Sequence, residues 1–154
     1  MKKIRTVFKF KPFSKKQRKV LNWWTENSLV KDKDGIIADG SIRSGKTVSM
    51  SLSYMAMSTF VECNFGMCGK TIGSFRRNVL NILKLMLWSR GYKLKDHRAD
   101  NMVEITKKGV TNYFYVFGGK DESSQDLIQG ITLAGCFFDE VALMPESFVN
   151  QATA

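Results

Sequence analysis

The sequence predicts an α/β domain with a mainly parallel sheet flanked by helices, and three observations carry that expectation. Short apolar runs of strand type alternate with amphipathic helical runs, the order that covers a parallel sheet with helices. Gly40-Ser41-Ile42-Arg43-Ser44-Gly45-Lys46-Thr47 fits G-x-x-x-x-G-K-[ST] at every fixed position and lies between an expected strand and an expected helix. Farther on, the apolar run Gly135-Cys136-Phe137-Phe138 ends in Asp139-Glu140.

Taken in order, residues 1–13 mix Lys with Phe8, Phe10 and Phe13 and read as a basic arm ahead of one domain over residues 14–154. Ser14 is placed to cap a helix from about Lys15 to Ser28, with Val20, Leu21 and Trp24 on one face. Lys31 to Gly35 reads as a loop, and Gly35 to Asp39 as a short buried-type strand ending at Gly40. A helix is expected from Lys46 to about Phe60, and a second strand over Asn64 to Cys68. Ser74 is the expected cap of a long helix whose stripe is Val79, Ile82, Leu83, Met86 and Leu87, stopping near Gly91. Met102 to Ile105 and Asn112 to Phe117 form an expected strand pair around Lys107-Lys108-Gly109. Lys120 to Gln129 reads as a polar connection, Leu133 to Phe138 as another buried strand, and Pro145 as the first turn of a closing helix.

Composition narrows the function classes. The chain has 154 residues, 44% of them apolar and 25% charged, as a globular domain requires. The richest apolar stretch, Val79 to Trp88, is broken by Asn81 and Lys84, so a membrane span is not expected, and no apolar segment follows the basic start to make a secretory signal. Cys63, Cys68 and Cys136 are odd in number and form no C-x-x-C pair, which argues against a disulfide framework or zinc site and for a reducing cytosol. The formal charge of +10 is concentrated at the start: residues 1–33 hold eleven Lys or Arg against two acids, the other 121 residues thirteen against twelve. Such an arm suits polyphosphate contact through counterion release, and equally a solubilising lead-in.

The chemistry sits in the two motifs. Glycines let the loop from Gly40 to Thr47 curl so that successive N–H groups face one anion, and the following helix turns its positive end to the same place. That is the P-loop NTPase arrangement, with ATP as the expected nucleotide. Lys46 is then expected on the β and γ phosphates, and the Thr47 hydroxyl on Mg²⁺. In the second motif Asp139 is the expected metal carboxylate, and Glu140 the group that orients and deprotonates the attacking water. An adjacent Glu favours a hydrolytic ATPase over a small-molecule kinase. Arg43 is a candidate for stabilising charge on the transferring phosphoryl group, or else a surface arginine. Gln17 is a candidate reader of the adenine edge, or else an ordinary exposed helical residue. Gly69-Lys70-Thr71 repeats the motif's tail, but position 64 is Asn instead of the first glycine. His97, the single histidine, lies in a charged stretch and is assigned no role.

Gly118-Gly119-Lys120-Asp121-Glu122-Ser123-Ser124, then Ile128-Gln129-Gly130-Ile131-Thr132-Leu133-Ala134-Gly135, then Asp139 through Val149 resemble the large terminase subunit of tailed bacteriophages, in the form also found in defective Bacillus prophages. The loop with an arginine inside it is similar to that family's variant P-loop, and Phe13 to Gln17 resembles its adenine-reading segment. The likeness runs over about residues 10–154. It implies an ATPase of the additional-catalytic-glutamate division that pumps double-stranded DNA into a procapsid. It further implies self-association into a ring, portal protein and small terminase subunit as partners, and the host-cell cytoplasm as location. The family's nuclease domain has no counterpart here, so no cleavage is expected. In that division the strand after the Asp-Glu motif inserts between the P-loop strand and the motif's own strand. The domain is therefore expected to be incomplete at its C-terminus, binding nucleotide weakly and hydrolysing it poorly on its own. Another P-loop DNA-dependent ATPase of helicase or repair type, and a non-catalytic remnant, are the competing readings.

Overall fold

A computed structural model describes residues 8–59 and 62–154. Residues 9–57 form one compact unit; residues 58–154, together with Phe8, form another. Most of the expected basic arm, and the expected helix end at Phe60, lie outside the described residues.

In the first unit, Ser14 caps helix α1 (Lys15–Leu21) by accepting from Gln17 N, while Gln17 returns its side chain to Ser14 N in a capping box. The helix is half the expected length. Asn22, Thr25 and Ser28 close successive short turns, and the Thr25 hydroxyl donates to the Asn22 carbonyl at 2.8 Å, so local hydrogen bonds displace the helical ladder. The expected strand at residues 35–39 is also corrected: the segment has no ladder partner among the described residues, and Ile37 is 90% exposed. An apolar run becomes a strand only where another strand takes its N–H and C=O groups. Helix α2 (Lys46–Ser58) follows the loop as expected, with Leu52, Tyr54 and Met55 buried.

The second unit is built on a five-stranded mixed sheet of order β2-β3-β4-β1-β5. Strand β1 (Asn64–Gly69) runs parallel to both β4 (Val110–Gly118) and β5 (Cys136–Phe138), whereas β2 (Lys93–His97), β3 (Met102–Lys107) and β4 make an antiparallel meander. The sheet is thus parallel around β1 and antiparallel where the hairpin at Lys107-Lys108-Gly109 adds to it. Lys108 (φ 51°) and Gly109 (φ 81°) both turn left-handed there, as a two-residue hairpin requires. β5 is shorter than expected, although its lead-in already lies along β1: Ala134 N donates to Asn64 O and Gly66 N to Gly135 O.

Register sorts the core. Phe65, Met67, Phe114, Val116 and Phe137 share one face, with Phe65 and Phe114 stacked at 5.2 Å. There they meet the helical segment formed by α3 (Ile72–Phe75), a π-helical turn (Arg76–Leu80) and α4 (Asn81–Ser89), with Phe75 edge-on to Phe137 at 6.1 Å. The expected stripe is buried except for Ile82 on its rim. Its start is corrected from Ser74 to Thr71, whose hydroxyl accepts from Ser74 N while the Ser74 hydroxyl accepts from Thr71 N. Gly91, at φ 79°, ends the segment.

The opposite face carries Cys68, Phe117 and Phe138 against α5 (Glu122–Gln129) and α6 (Glu146–Thr153), with Ile128, Met144, Phe148 and Ala152 in the same cluster. Helix α5 replaces the expected polar connection. Two ties hold it: Ser124 Oγ accepts from Gly118 N at 3.0 Å, and Asp121 Oδ2 accepts from Ile72 N at 3.0 Å. Pro145 precedes α6 with φ −59°, already set for a helix entry. All three cysteines are free thiols, and Cys68 is pushed well up by the Cys136 hydrogen bond and then by burial. Among the described residues no helix is long and apolar enough to cross a membrane.

Candidate functional site

The loop from Gly40 to Thr47 has the backbone of an anion-binding curl. Gly40 (φ 155°), Arg43 (φ 61°) and Gly45 (φ 80°) take positive φ, and Ser44 N closes a turn onto Ser41 O at 3.3 Å. Left-handed residues set among ordinary ones can turn successive N–H groups to one side of the chain, the geometry of an anion-binding concavity. At Arg43 this conformation is achieved without glycine. Ser41, Ile42, Arg43 and Ser44 are exposed, whereas Gly45, Lys46 and Thr47 are half-buried where the loop passes into α2.

Helix α2 starts at Lys46, and Ser49 N donates to Gly45 O at 3.0 Å in its first turn. The first N–H groups of a helix have no carbonyl of their own, and the helix dipole adds partial positive charge at the same end. The Lys46 ammonium is folded onto the loop itself, donating to Gly40 O at 2.5 Å and Ser41 O at 2.8 Å. Thr47 carries its hydroxyl one residue into the helix, and the Ser51 hydroxyl donates to the Thr47 carbonyl.

The same unit brings Gln17 to this loop. Its Nε2 donates to Ser44 O at 3.0 Å, while its Oε1 accepts from Ser14 N at 2.9 Å. The Ser14 cap that orients this glutamine was legible as a helix start, but its link to the loop was not.

Asp139 and Glu140 lie in the sheet unit. Asp139 N donates to Cys68 O at 2.9 Å, carrying the β1–β5 ladder one residue past Phe138, so the carboxylate stands at the strand's C-terminal end. There the chain breaks sharply: Glu140 takes φ 57° and ψ 51°, left-handed without being glycine, and is exposed. Leu143 N then donates to Glu140 O at 2.9 Å, closing a short 3₁₀ turn over Val141–Leu143. Strained non-glycine backbone of this kind costs on the order of 1–3 kcal/mol and gathers at functional positions. Lys70 and Thr71, set aside in the sequence, are used structurally: Lys70 O accepts from Lys120 N at 3.2 Å and Thr71 caps α3. His97 lies 3.2 Å from Glu104 on the meander, a surface pair away from either motif in sequence.

No family model matches the chain, and neither does any curated protein, but solved structures do. It is similar to the large terminase of a thermophilic bacteriophage at 74% identity and a TM-score of 0.89, over 93% of this chain and 36% of that one. The same phage terminase in complex with ATP-gamma-S matches at 70% identity and 0.83, and in complex with ADP at 73% and 0.85, each over 92% of this chain. The large terminase ATPase domain of the Thermus phage P74-26 matches at 16% identity with a TM-score of 0.52 over 72% of this chain, a likeness of fold. The chain spans about a third of the length of the terminase it matches at 74% identity.

Proposed function

Since the chain belongs to the bacteriophage large terminases, we propose that it is the ATP-binding and ATP-hydrolysing part of a viral DNA-packaging motor. The observation that carries this reading is the 74% identity to a large terminase over 93% of the chain. That terminase forms complexes with ADP and with ATP-gamma-S, which supports an adenine nucleotide for this chain as well.

In this reading the amides of Gly40, Ser41, Ile42, Arg43, Ser44 and Gly45 wrap the phosphates, and Lys46 leaves the Gly40 and Ser41 carbonyls for the β and γ phosphate oxygens. Arg43 neutralises charge that builds on the transferring phosphoryl group. By family likeness Glu140 takes the proton of the attacking water, and Asp139 would hold the metal ion. The Thr47 hydroxyl and Asp139 carboxylate are hard oxygen donors of the kind Mg²⁺ accepts. When bound, Mg²⁺ supplies charge neutralisation on the phosphate oxygens.

The partners follow from the family: double-stranded DNA, further copies in a ring, the portal protein and the small terminase subunit, in the host-cell cytoplasm and at the procapsid portal. Residues 1–13 serve as a basic arm suited to the DNA backbone, ahead of the ATPase domain at 14–154.

Phosphate release from Mg-ATP, with and without double-stranded DNA, tests the reading. In a complete large subunit, Glu140→Gln is expected to keep nucleotide binding and to cut release by roughly 10²–10⁴-fold. Lys46→Ala is expected to lose both. Turnover in Glu140→Gln equal to that of the wild type removes Glu140 as the base, and wild-type chain that binds no nucleotide removes the whole assignment.

A further inference from the structure

Resting on the DNA-packaging reading above, we propose that the tip of the antiparallel meander, carrying Lys93, Lys95 and Lys108, is a surface that grips the phosphate backbone of duplex DNA. Residues 90–95 and 106–111 meet at this end of the sheet and hold five Lys or Arg and no acid. Residues 121–146, which run through β5 at the other edge, hold six acids and no Lys or Arg. Charge in this unit is therefore separated across the sheet, so a polyanion is drawn to the β2 edge and repelled from the β5 edge.

Alternation along β2 decides which side chains are left for a partner. Asp96 turns to the helical segment and accepts from Arg76 and Lys84, so Lys93 and Lys95 stand on the opposite face, and both are exposed. Lys93 lies opposite Thr106 and Thr106 opposite Thr111, with the two hydroxyls 2.8 Å apart, so one ammonium and two hydroxyls form a row across three strands. Lys107 is engaged within the fold. Its Nζ donates to Arg90 O and lies 4.7 Å over the Tyr92 ring, which clips the hairpin to the end of α4. That clip presents Lys108, left-handed and exposed beside Gly109, at the end of the turn. Glu104, opposite Lys95, is taken by His97 at 3.2 Å. Among the described residues none of Lys93, Lys95 and Lys108 has an ion pair. No large apolar side chain of the two segments is exposed, and lysine is depleted where proteins meet each other, whereas phosphate is met by ammonium groups and hydroxyls of this kind.

Binding of the full chain to a short duplex of arbitrary sequence, followed by fluorescence anisotropy between about 50 and 200 mM salt, tests the proposal. Lys93→Gln/Lys95→Gln/Lys108→Gln is expected to bind about 10-fold or more weakly at the low end. Its plot of log affinity against log salt is expected to flatten by about 2 to 3, close to one for each lost phosphate contact. Its melting temperature and Mg-ATP affinity are expected to match the wild type. Lys93→Arg/Lys95→Arg/Lys108→Arg keeps the charge and is expected to bind within about threefold of wild type. Lys31→Gln/Lys33→Gln/Lys70→Gln removes the same charge elsewhere and is expected to keep the wild-type slope. An equal loss in that control overturns the proposal in favour of overall charge, and an equal loss in the arginine variant overturns it in favour of a disturbed fold. A glutamine variant that binds the duplex like the wild type overturns it outright; if that variant also sediments as a smaller species, the surface is a contact between copies. Wild-type chain that binds Mg-ATP but no duplex removes this surface alone, whereas one that binds neither removes the packaging-motor reading too.

Discussion

Arg43 holds φ 61° inside a loop whose other left-handed positions, Gly40 and Gly45, are glycines. An L-residue in that region gives up roughly 1–2 kcal/mol, and Arg43 takes it inside the phosphate-loop motif, where its side chain is a candidate for a role glycine cannot fill. Arg43→Gly relieves the strain but frees the unfolded chain, so its melting temperature is expected to stay within about 3 °C of wild type. Arg43→Ala keeps the strain. If the guanidinium stabilises phosphoryl charge, both variants lose phosphate release by on the order of 10²-fold or more while Mg-ATP affinity changes little. Unaltered release in Arg43→Gly would show that the position serves the backbone alone. At this scale the sequence was legible where chemistry is written in consecutive residues. Gly40, Gly45, Lys46, Thr47, Asp139 and Glu140 each announced themselves by type and spacing. Gln17 did so only in part, because the 27 positions from it to Ser44 hide the hydrogen bond that joins them.

Between the elements, the unexpected strand β2 is tied to the helical segment by one carboxylate. Asp96, with its side chain 16% exposed, accepts from Arg76 Nη1 at 3.0 and 3.1 Å and from Lys84 Nζ at 2.5 Å. Burial pushes this carboxyl up, but the hydrogen bonds and charges of Lys84 and Arg76 outweigh it and hold the group below the ordinary carboxylate range. A depressed folded value means that the stabilisation is present above the unfolded pKa, about 3.9, and is lost as pH falls through the folded value. Asp96→Asn leaves two largely buried cations without their counter-charge. It is expected to cost roughly 2–4 kcal/mol at pH 7, a fall of about 5–12 °C in melting temperature, with the gap from wild type closing in acid. Melts at pH 7 and near pH 3 check this, and a gap that persists undiminished in acid removes the ion-pair explanation. β2 was invisible in the sequence because Lys93-Leu94-Lys95-Asp96-His97 carries no β-branched residue and no Phe, Tyr or Trp; its edge position tolerates, and its lysines suit, a strand that must not pair with another chain. α5 was missed for the opposite reason: its buried contacts are Ser124 and Ile128, too few for a periodic stripe, and its stability comes from ties to Gly118 and the α3 entrance.

For the whole molecule, the proposed function makes stability depend on nucleotide. At Mg-ATP near 100 times its dissociation constant the folded state gains about 2.7 kcal/mol, or roughly 5–10 °C, and Lys46→Ala is expected to abolish the shift. A thermal-shift titration reads this directly, and a wild-type chain that melts at one temperature with and without Mg-ATP contradicts the assignment. What the sequence determined by itself was local and chemical: the G-x-x-x-x-G-K-T loop, the Ser14-capped start of α1, the α3–α4 stripe, the hairpin at Gly109 and the Asp-Glu end of an apolar strand. Each depends on residues within a few positions of one another, where periodicity and turn chemistry act. The tertiary structure decided what depends on a distant partner. It left Gly35 to Asp39 without a ladder partner among the described residues, since a strand exists only when another strand satisfies its backbone, and it set the order β2-β3-β4-β1-β5 with Gly66 held between Phe117 and Cys136. It also placed Gln17 against Ser44, because hydrogen-bond geometry between segments is fixed by packing and leaves no mark on the spacing of residues along the chain.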